Sequence, residues 1–528
     1  MAQFNKLQIA KKTTLALALL SIGFSQSVLA DGFSAGNLII SRTTYDGIAS
    51  TVAVGQTLPG GGVAIGDGSF ANVFKNETPD PSFGITSSIY LDQLTTSGSL
   101  IKTQAIDSSL ITTSFASKSE LALNVSTDGT SVSFMGYLAP KNTLDVSNSN
   151  TAAVFDSTNP VSSTYARGIA NVNLATGNLS VTSVNAYSGN NGRAAVLANG
   201  NYYMVGNAGN GSGNGTTLSQ LSDNTGVQTI AFGSSGNTTA VGAAIGTYGS
   251  ATGYQRGFSL AQLPDPANPG HNYAPDKTGK DDNFRGMTVA NNTLYVTKGS
   301  GSNGVNSVYQ VGNAGDLANP NFNPSTAKIS ILPGFNTLSE KVAESKTAPV
   351  ATPHPFGLWL ANSSTMFVAD EGDGVRLGVA GKVTTFAGLQ EWTLSNGVWS
   401  LSQTFQKGLL DQTAQAPGSL GWLVQQDGLR NITGSQNADG SFTLFGTTST
   451  VSNELTHDLG ADPNEIVSIT IGTNSNAANT TFTVLDTAAV GSRFGGVAIA
   501  PVPEPESYAM LLAGLGLMGF MVRRRKTA

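Results

Sequence analysis

Short apolar runs and polar turns alternate along most of this 528-residue chain. The clearest unit is an apolar segment, a polar turn, and a second apolar segment ending in a small residue. It recurs at 120–137 ("ELALNVSTDGTSVSFMGY"), 193–207 ("RAAVLANGNYYMVGN"), 285–299, 356–372 and 429–446. The turns are Asp128-Gly129, Asn199-Gly200, Asn291-Asn292, Asn362-Ser363 and Asp439-Gly440. Gly and Asn accept the positive φ of tight turns, so each unit predicts a β-hairpin.

A third strand is expected after each hairpin, at 168–174, 217–221, 307–312, 389–394 and 465–471. A fourth comes next at 179–187, 227–232, 327–332, 398–405 and 481–485. Four strands per unit, repeating about every 70 residues, is the pattern of a β-propeller blade. Between 193 and 285, "TTAVGAAIGTY" (238–248) and "GFSLAQL" (257–263) read as the first hairpin and third strand of an extra unit.

The two ends fit each other. "RFGGVAIAP" (493–501) resembles a first strand that then stops, and "GNLIISR" (36–42) a second strand with nothing before it. "SIYLDQL" (88–94) and "SLIKTQAI" (99–106) supply a third and a fourth. Pairing the ends completes one blade and removes free sheet edges. The expected fold is all-β: a propeller of seven four-stranded blades, with the N-terminal strand closing the last. Eight blades or a pair of irregular β-sandwiches are the alternatives. The inserts 45–86, 140–165, 264–284, 313–326, 333–355 and 406–427 exceed ordinary hairpin loops, which marks them as functional decoration or disorder.

Composition agrees with many strands and turns: 63 Gly, 20 Pro and only 11% charged residues. Seven of the 27 basic residues lie in the terminal segments, leaving residues 31–503 with 20 basic and 31 acidic ones. That balance argues against nucleic acid or anionic lipid as a partner. With no Cys there is neither a disulfide framework nor thiolate chemistry. Lys6, Lys11 and Lys12 precede the apolar run "TLALALLSIGF" (14–24), and Val28 and Ala30 form a small-residue cleavage site. This predicts a signal peptide over 1–30, cut between Ala30 and Asp31.

Candidate chemistry in the body is sparse. His271, His354 and His457 lie in three distant inserts without metal-ligand spacing. "GFSAG" (32–36) lacks the strand–turn–helix context of a nucleophile elbow, which speaks against Ser34 as a nucleophile. "GSGSNG" (299–304) lies between two strands and reads as a hairpin turn, not a dinucleotide loop. Asp370, Glu371 and Asp373, with two glycines, are a weak Ca²⁺ candidate, though their spacing departs from the usual calcium loop. No metal or other cofactor is otherwise expected. Asp281, Asp282 and Arg285 precede a first strand, and Arg167, Arg193 and Arg493 stand at similar points. Such a ring at a channel mouth suits either interblade ion pairing, the favoured reading, or sugar binding. No catalytic constellation is assigned.

The tail is specific. Val502, Pro503, Glu504 and Pro505 precede an apolar stretch from Tyr508 to Val522 that includes Leu511, Leu512, Leu515, Leu517 and Phe520. Arg523, Arg524, Arg525 and Lys526 come after it. As a helix the stretch is roughly 22 Å long against a hydrocarbon core of ~30 Å, marginal for a permanent anchor. The basic cluster would hold its end at the cytoplasmic side. Segment 502–528 resembles the PEP-CTERM sorting signal of Gram-negative bacteria. The resemblance implies a short transmembrane sorting helix recognised by an exosortase, a membrane cysteine protease, with cleavage near Pro503-Glu504-Pro505. It also implies delivery to the cell surface or extracellular matrix, typically where exopolysaccharide is made, and it supplies no catalytic residues.

The organisation expected is therefore signal peptide 1–30, propeller-like body 31–501 and sorting signal 502–528. The expected function is that of an exported, non-enzymatic surface or biofilm-matrix protein that binds exopolysaccharide or a protein partner. An extracellular hydrolase or lyase acting on polysaccharide is the alternative, since propeller sites gather residues from separate blades. A purely structural surface-layer protein is the third.

Overall fold

The computed structural model describes residues 32–45, 51–59, 62–70, 84–115, 117, 120–209, 222–246, 254–299, 301, 303–343, 350–374, 386–410, 413–414, 424–452 and 462–502. The signal segment 1–30, its cleavage site and the tail from Pro503 onward lie outside them. The described strands form six blades in a propeller-like ring with almost no helix. From the axis outward, blade 1 contains Ser492–Ile499, Leu38–Thr44, Thr86–Leu94 and Leu100–Ala105. Blade 2 contains Asn124–Val125, Ser131–Tyr137, Arg167–Asn173 and Leu179–Val184. Blade 3 contains Gly192–Ala198, Asn201–Gly206, Gly226–Ala231 and Thr239–Ala240. Blade 4 contains Met287–Ala290, Thr293–Lys298, Ser307–Val311 and Ile329–Ile331. Blade 5 contains Pro355–Leu360, Thr365–Asp370, Gly388–Ser395 and Val398–Phe405. Blade 6 contains Val424–Gln436, Phe442–Ser452, Glu465–Ile471 and Thr483–Thr487.

The expected closure is present. Leu38 pairs with Ile499, Ile39 with Ala498 and Ile40 with Val497; Thr43 and Thr44 pair with Arg493 and Ser492. The blade count is six, not seven, because the segment read as an extra unit builds no blade. Thr239–Ala240 is the fourth strand of blade 3, and "VQTIAF", expected as a fourth strand, is the third. The expected third strand at 217–221 lies outside the described residues. Ala244–Ile245 and Gln255–Arg256 make only a two-rung ladder, and Leu260–Gln262 is a 3-10 turn. Small residues dominate "AVGAAIG", so this stretch cannot fill an interblade layer. Val241 and Phe258 instead pack into the core between blades 3 and 4.

The hydrophobic core is divided around the ring. Separate clusters fill the spaces between blades 1 and 2, 2 and 3, 3 and 4, 4 and 5, 5 and 6, and 6 and 1. Within one strand, alternate residues serve opposite neighbours. Phe134 faces blade 1 and Met135 faces blade 3. Ile39 faces blade 2 while Leu38 and Ile40 face blade 6. The period-2 alternation of a strand therefore appears here as a run buried on both faces, in second strands such as Ser131–Tyr137. The outermost strands are half solvated, as in Leu100–Ala105.

Innermost strands crowd at the axis, and glycine makes room. A Cβ on Gly286 would lie 1.9 Å from the carbonyl oxygen of Phe356 in the next blade. One on Gly496 would lie 2.4 Å from the amide nitrogen of Leu123.

All innermost strands run from an upper face, where their leading residues lie, to a lower face. The strand ends that bound the long connections 45–85, 138–166, 241–286 and 332–354 lie at the upper face. Lower-face turns are mostly short, such as Asn199-Gly200 and Asn396-Gly397; the insert at 312–328 is the main exception. Both ends of the described chain leave from the lower face. Gly36 donates its N–H to Ala500 O (2.8 Å), and Val502 is exposed.

A chain ending at Val502 is expected to unfold in urea at the full-length midpoint. One ending at Gly491 loses Phe494, Val497 and Ala498 from two cores and no longer unfolds cooperatively. Gly286→Ala lowers stability by about 1–3 kcal/mol, measured by urea denaturation, because backbone must move to admit one methyl group.

Candidate functional site

The sequence-predicted arginine ring exists, with altered membership. Arg193, Arg285 and Arg493 sit at or just before the leading ends of the innermost strands of blades 3, 4 and 1, and Arg430 stands midway along the longer innermost strand of blade 6. Glu120 precedes the innermost strand of blade 2, and Glu371 comes after the second strand of blade 5. Together they form a polar collar around the upper end of the axis. Arg193, Arg430, Arg493, Glu120 and Glu371 are all buried, and Arg285 is partly exposed.

Backbone bulges aim these side chains. The ladder of blade 3 skips a residue between Gly192 and Ala194, so Arg193 is the extra one. Blade 6 skips between Leu429 and Asn431, which singles out Arg430. A bulged residue escapes the strict in–out alternation, and bulges recur at rims for this reason. Arg430 and Glu120 were missed by sequence reasoning. The signal for Arg430 was "DGLRNITG", where it is the one basic residue of the strand Val424–Gln436.

Arg493, Glu120, Arg193, Arg430 and Glu371 each reach across a blade boundary. Arg493 donates from Nη1 to the carbonyls of Phe115 (3.5 Å) and Ser117, in the segment leading into blade 2. Glu120 accepts at Oε1 from the Tyr137 hydroxyl and from Asn191 Nδ2 (2.9 Å), at the start of blade 3. Arg193 donates from Nη1 to Asn283 Oδ1 and to Phe284 O (2.6 Å), at the start of blade 4. Arg430 Nε donates to Glu371 Oε2 at 3.3 Å, linking blades 6 and 5. Among these contacts Arg430–Glu371 is an interblade ion pair of the expected kind, whereas the others are interblade hydrogen bonds to carbonyl, amide and hydroxyl groups. Charge crowding is a second property of the collar. Burial holds the Arg193 guanidinium well below its ordinary value, and neighbouring Arg285 adds to this. Burial also lowers Arg285, with Arg430 pushing the same way while Glu371 and Glu120 oppose it.

Below the collar the axis opens into a cavity of about 210 Å³ lined by all six innermost strands. Its polar contributors are Asn124, Thr288, Asn431 and Thr433, without charge.

Arg167 is not at the start of a first strand; it opens the third strand of blade 2, fully buried. Its guanidinium donates to carbonyls of Tyr165, Ser147, Ser149 and Asn190 at 2.7–3.1 Å and lies over the Tyr137 ring. It pins the upper-face insert of that blade. Asp370 accepts at Oδ2 from the His354 amide (2.7 Å) and Gln390 Nε2 (3.0 Å), and at Oδ1 from the Gly372 amide (3.1 Å). Glu371 turns to Arg430, and Asp373 is exposed. These three carboxylates do not converge, and among the described residues no group of three or more His, Asp or Glu could hold a metal ion. His271 is exposed, and His457 lies outside the described residues. Ser34 is exposed beside the lower-face chain end, and the glycine-rich stretch after Lys298 connects two strands of blade 4.

Asp281 and Asp282 belong to the wall of the collar, not its lumen. Asp281 accepts at Oδ2 from the Leu260 amide (2.8 Å), and burial raises its pKa well above the usual carboxylate range. Burial raises Asp282 to about 7, against the pull of Lys280 and Arg256. The folded state thus binds this proton more tightly than the unfolded chain. The stability it contributes is complete below about pH 4 and is lost as pH rises through 7. Asp282→Asn therefore flattens that decline, raising stability at pH 8 by on the order of a few kcal/mol, as read from urea midpoints between pH 4 and 8.

Residues 501–526 match the PEP-CTERM protein-sorting motif. No curated protein matches the chain. Among solved structures, a S. cerevisiae assembly of Dbp5 with Nup159, Gle1, IP6 and ADP is 7% identical, with 87% of this chain and 95% of that chain covered and a TM-score of 0.29. Phage phi92 endosialidase is 9% identical, covering 75% and 52%, with a TM-score of 0.25. A Synechocystis apocarotenoid oxygenase variant is 8% identical, covering 77% and 60%, with a TM-score of 0.20. Likenesses this distant say nothing about the chemistry of this chain. Among the described residues no helix is long and apolar enough to cross a membrane. The chain carries a PEP-CTERM sorting motif directly behind a six-bladed β-propeller-like body, and that motif marks an exported protein targeted to an exosortase and held at the membrane before processing.

Proposed function

We propose that this protein is a non-enzymatic binder of the cell surface or extracellular matrix, released from its membrane hold by exosortase and working through its upper face. The partner is exopolysaccharide or a surface protein. One observation carries the reading: the sorting motif begins at residue 501, two residues after the strand that closes the ring. The address is therefore separable from the folded body. Its point of attachment supports a direction as well. Val502 leaves from the lower face, so a chain held by its tail presents the opposite face outward. That face carries the longest inserts and the arginine collar. Loops mounted on a rigid scaffold are the usual carriers of recognition.

An extracellular hydrolase or lyase is the second reading, favoured by Glu120 and Glu371 lying in one collar. Their assignment to Tyr137, Asn191 and Arg430 as partners supports a binding role instead. Deleting residues 502–528 separates address from body. The expected result, in fractionated cells of an exosortase-containing host, is a folded protein that no longer reaches the surface or matrix fraction. Unchanged distribution would count against the proposal.

A further inference from the structure

We propose that the collar binds a hydroxy-carboxylate, the pair of groups carried by uronic-acid sugars. This rests on the upper face being the binding face. Like charge meets like charge in the collar: Arg285 acts on Arg193 and Arg430 acts on Arg285, and each such neighbour raises the cost of keeping the next one charged. Glu371 answers Arg430 directly. A carboxylate between Arg193 and Arg285 turns their repulsion into charge-assisted hydrogen bonds.

Two buried atoms point the same way. Arg193 is 3% exposed, and its Nε has no hydrogen-bond partner. Glu120 is 2% exposed, and its Oε2 has none either. One is a donor and the other an acceptor, and buried polar atoms are rarely left unmet. A simple anion satisfies only the donor. A ligand with a carboxylate and a neighbouring hydroxyl satisfies both, the hydroxyl donating to Glu120. Arg285 is the partly exposed member of the collar, the one that solvent reaches. The neutral chamber of about 210 Å³ beneath offers further space without a charge that would repel the carboxylate. A free hydroxy acid and a uronate residue of a polysaccharide share this chemistry.

The test is calorimetric titration of the full-length chain, in mild detergent at low salt, with glucuronate, lactate, oligoglucuronate, glucose and propionate. Glucuronate or lactate is expected to saturate one site per chain. Glucose, lacking the carboxylate, and propionate, lacking the hydroxyl, should bind at least tenfold more weakly. Oligoglucuronate binding at least as tightly as lactate assigns the site to polysaccharide, and the reverse order assigns it to a free acid. Arg285→Gln should weaken binding at least tenfold with its urea midpoint unchanged, and Glu120→Gln should narrow the preference over propionate. The proposal is overturned if neither acid saturates, if glucose binds equally, or if a folded Arg285→Gln binds as before. None of these failures touches delivery by the tail, which fractionation reads separately.

Discussion

Pairing of Leu38–Thr44 with Ser492–Ile499 is the constraint on which the rest of the molecule depends. A ring of blades has no single core; it has spaces between neighbours, and each space needs a blade on both sides. Without the pairing, blade 1 lacks its innermost strand, and two of the six spaces lose a wall. The joint is reinforced from the side: Gly496 donates its N–H to Ser41 Oγ (2.7 Å), and that hydroxyl donates to Leu121 O (2.6 Å) in the approach to blade 2. Asn431 and Thr447 of blade 6 both donate to Gly495 O, at 2.8 and 3.0 Å. Blade 1 is thus held on both flanks at the level of the axis.

The collar arises from the same geometry. Innermost strands converge, so their leading residues meet whether or not they are suited to each other. Small residues solve the crowding where backbones touch, at Gly286 and Gly496. Where bulges open the ladder, at Arg193 and Arg430, long charged side chains reach across to the neighbouring blade. Arginine suits this role because its planar fork can serve several acceptors and keeps its charge when buried.

Much of this was legible in the sequence. Turn dipeptides such as Asn199-Gly200 and Asp128-Gly129 located the hairpins, and the mismatch between "RFGGVAIAP" and "GNLIISR" disclosed the closure. The extra blade was misread because alternation in "TTAVGAAIGTY" is real but too small in volume to fill an interblade layer. The collar was half legible. Arg193, Arg285 and Arg493 stand beside recognisable first strands, whereas Arg430 depends on a bulge, and bulges leave no mark in a period-2 pattern. Arg167 shared the same local grammar yet belongs to a third strand, because a long insert precedes it. Partner identities at the collar, such as Glu120 with Asn191, join segments 71 residues apart and could not be read along the chain.

The hydrogen bond between Gly496 and Ser41 joins residues 455 positions apart. Contacts of such separation form late and at a large cost in chain entropy. In a chain exported from its N-terminal end, strands 38–105 emerge first and wait with one sheet edge bare until 492–499 arrive. The apolar stretch of the sorting tail comes close behind that last strand. Closure of the ring waits for the strand that lies nearest the sorting motif, since no other strand covers that edge. The first blade to be made is thus the last to be completed, and a body that lacks its final strand keeps an open edge able to pair with another chain.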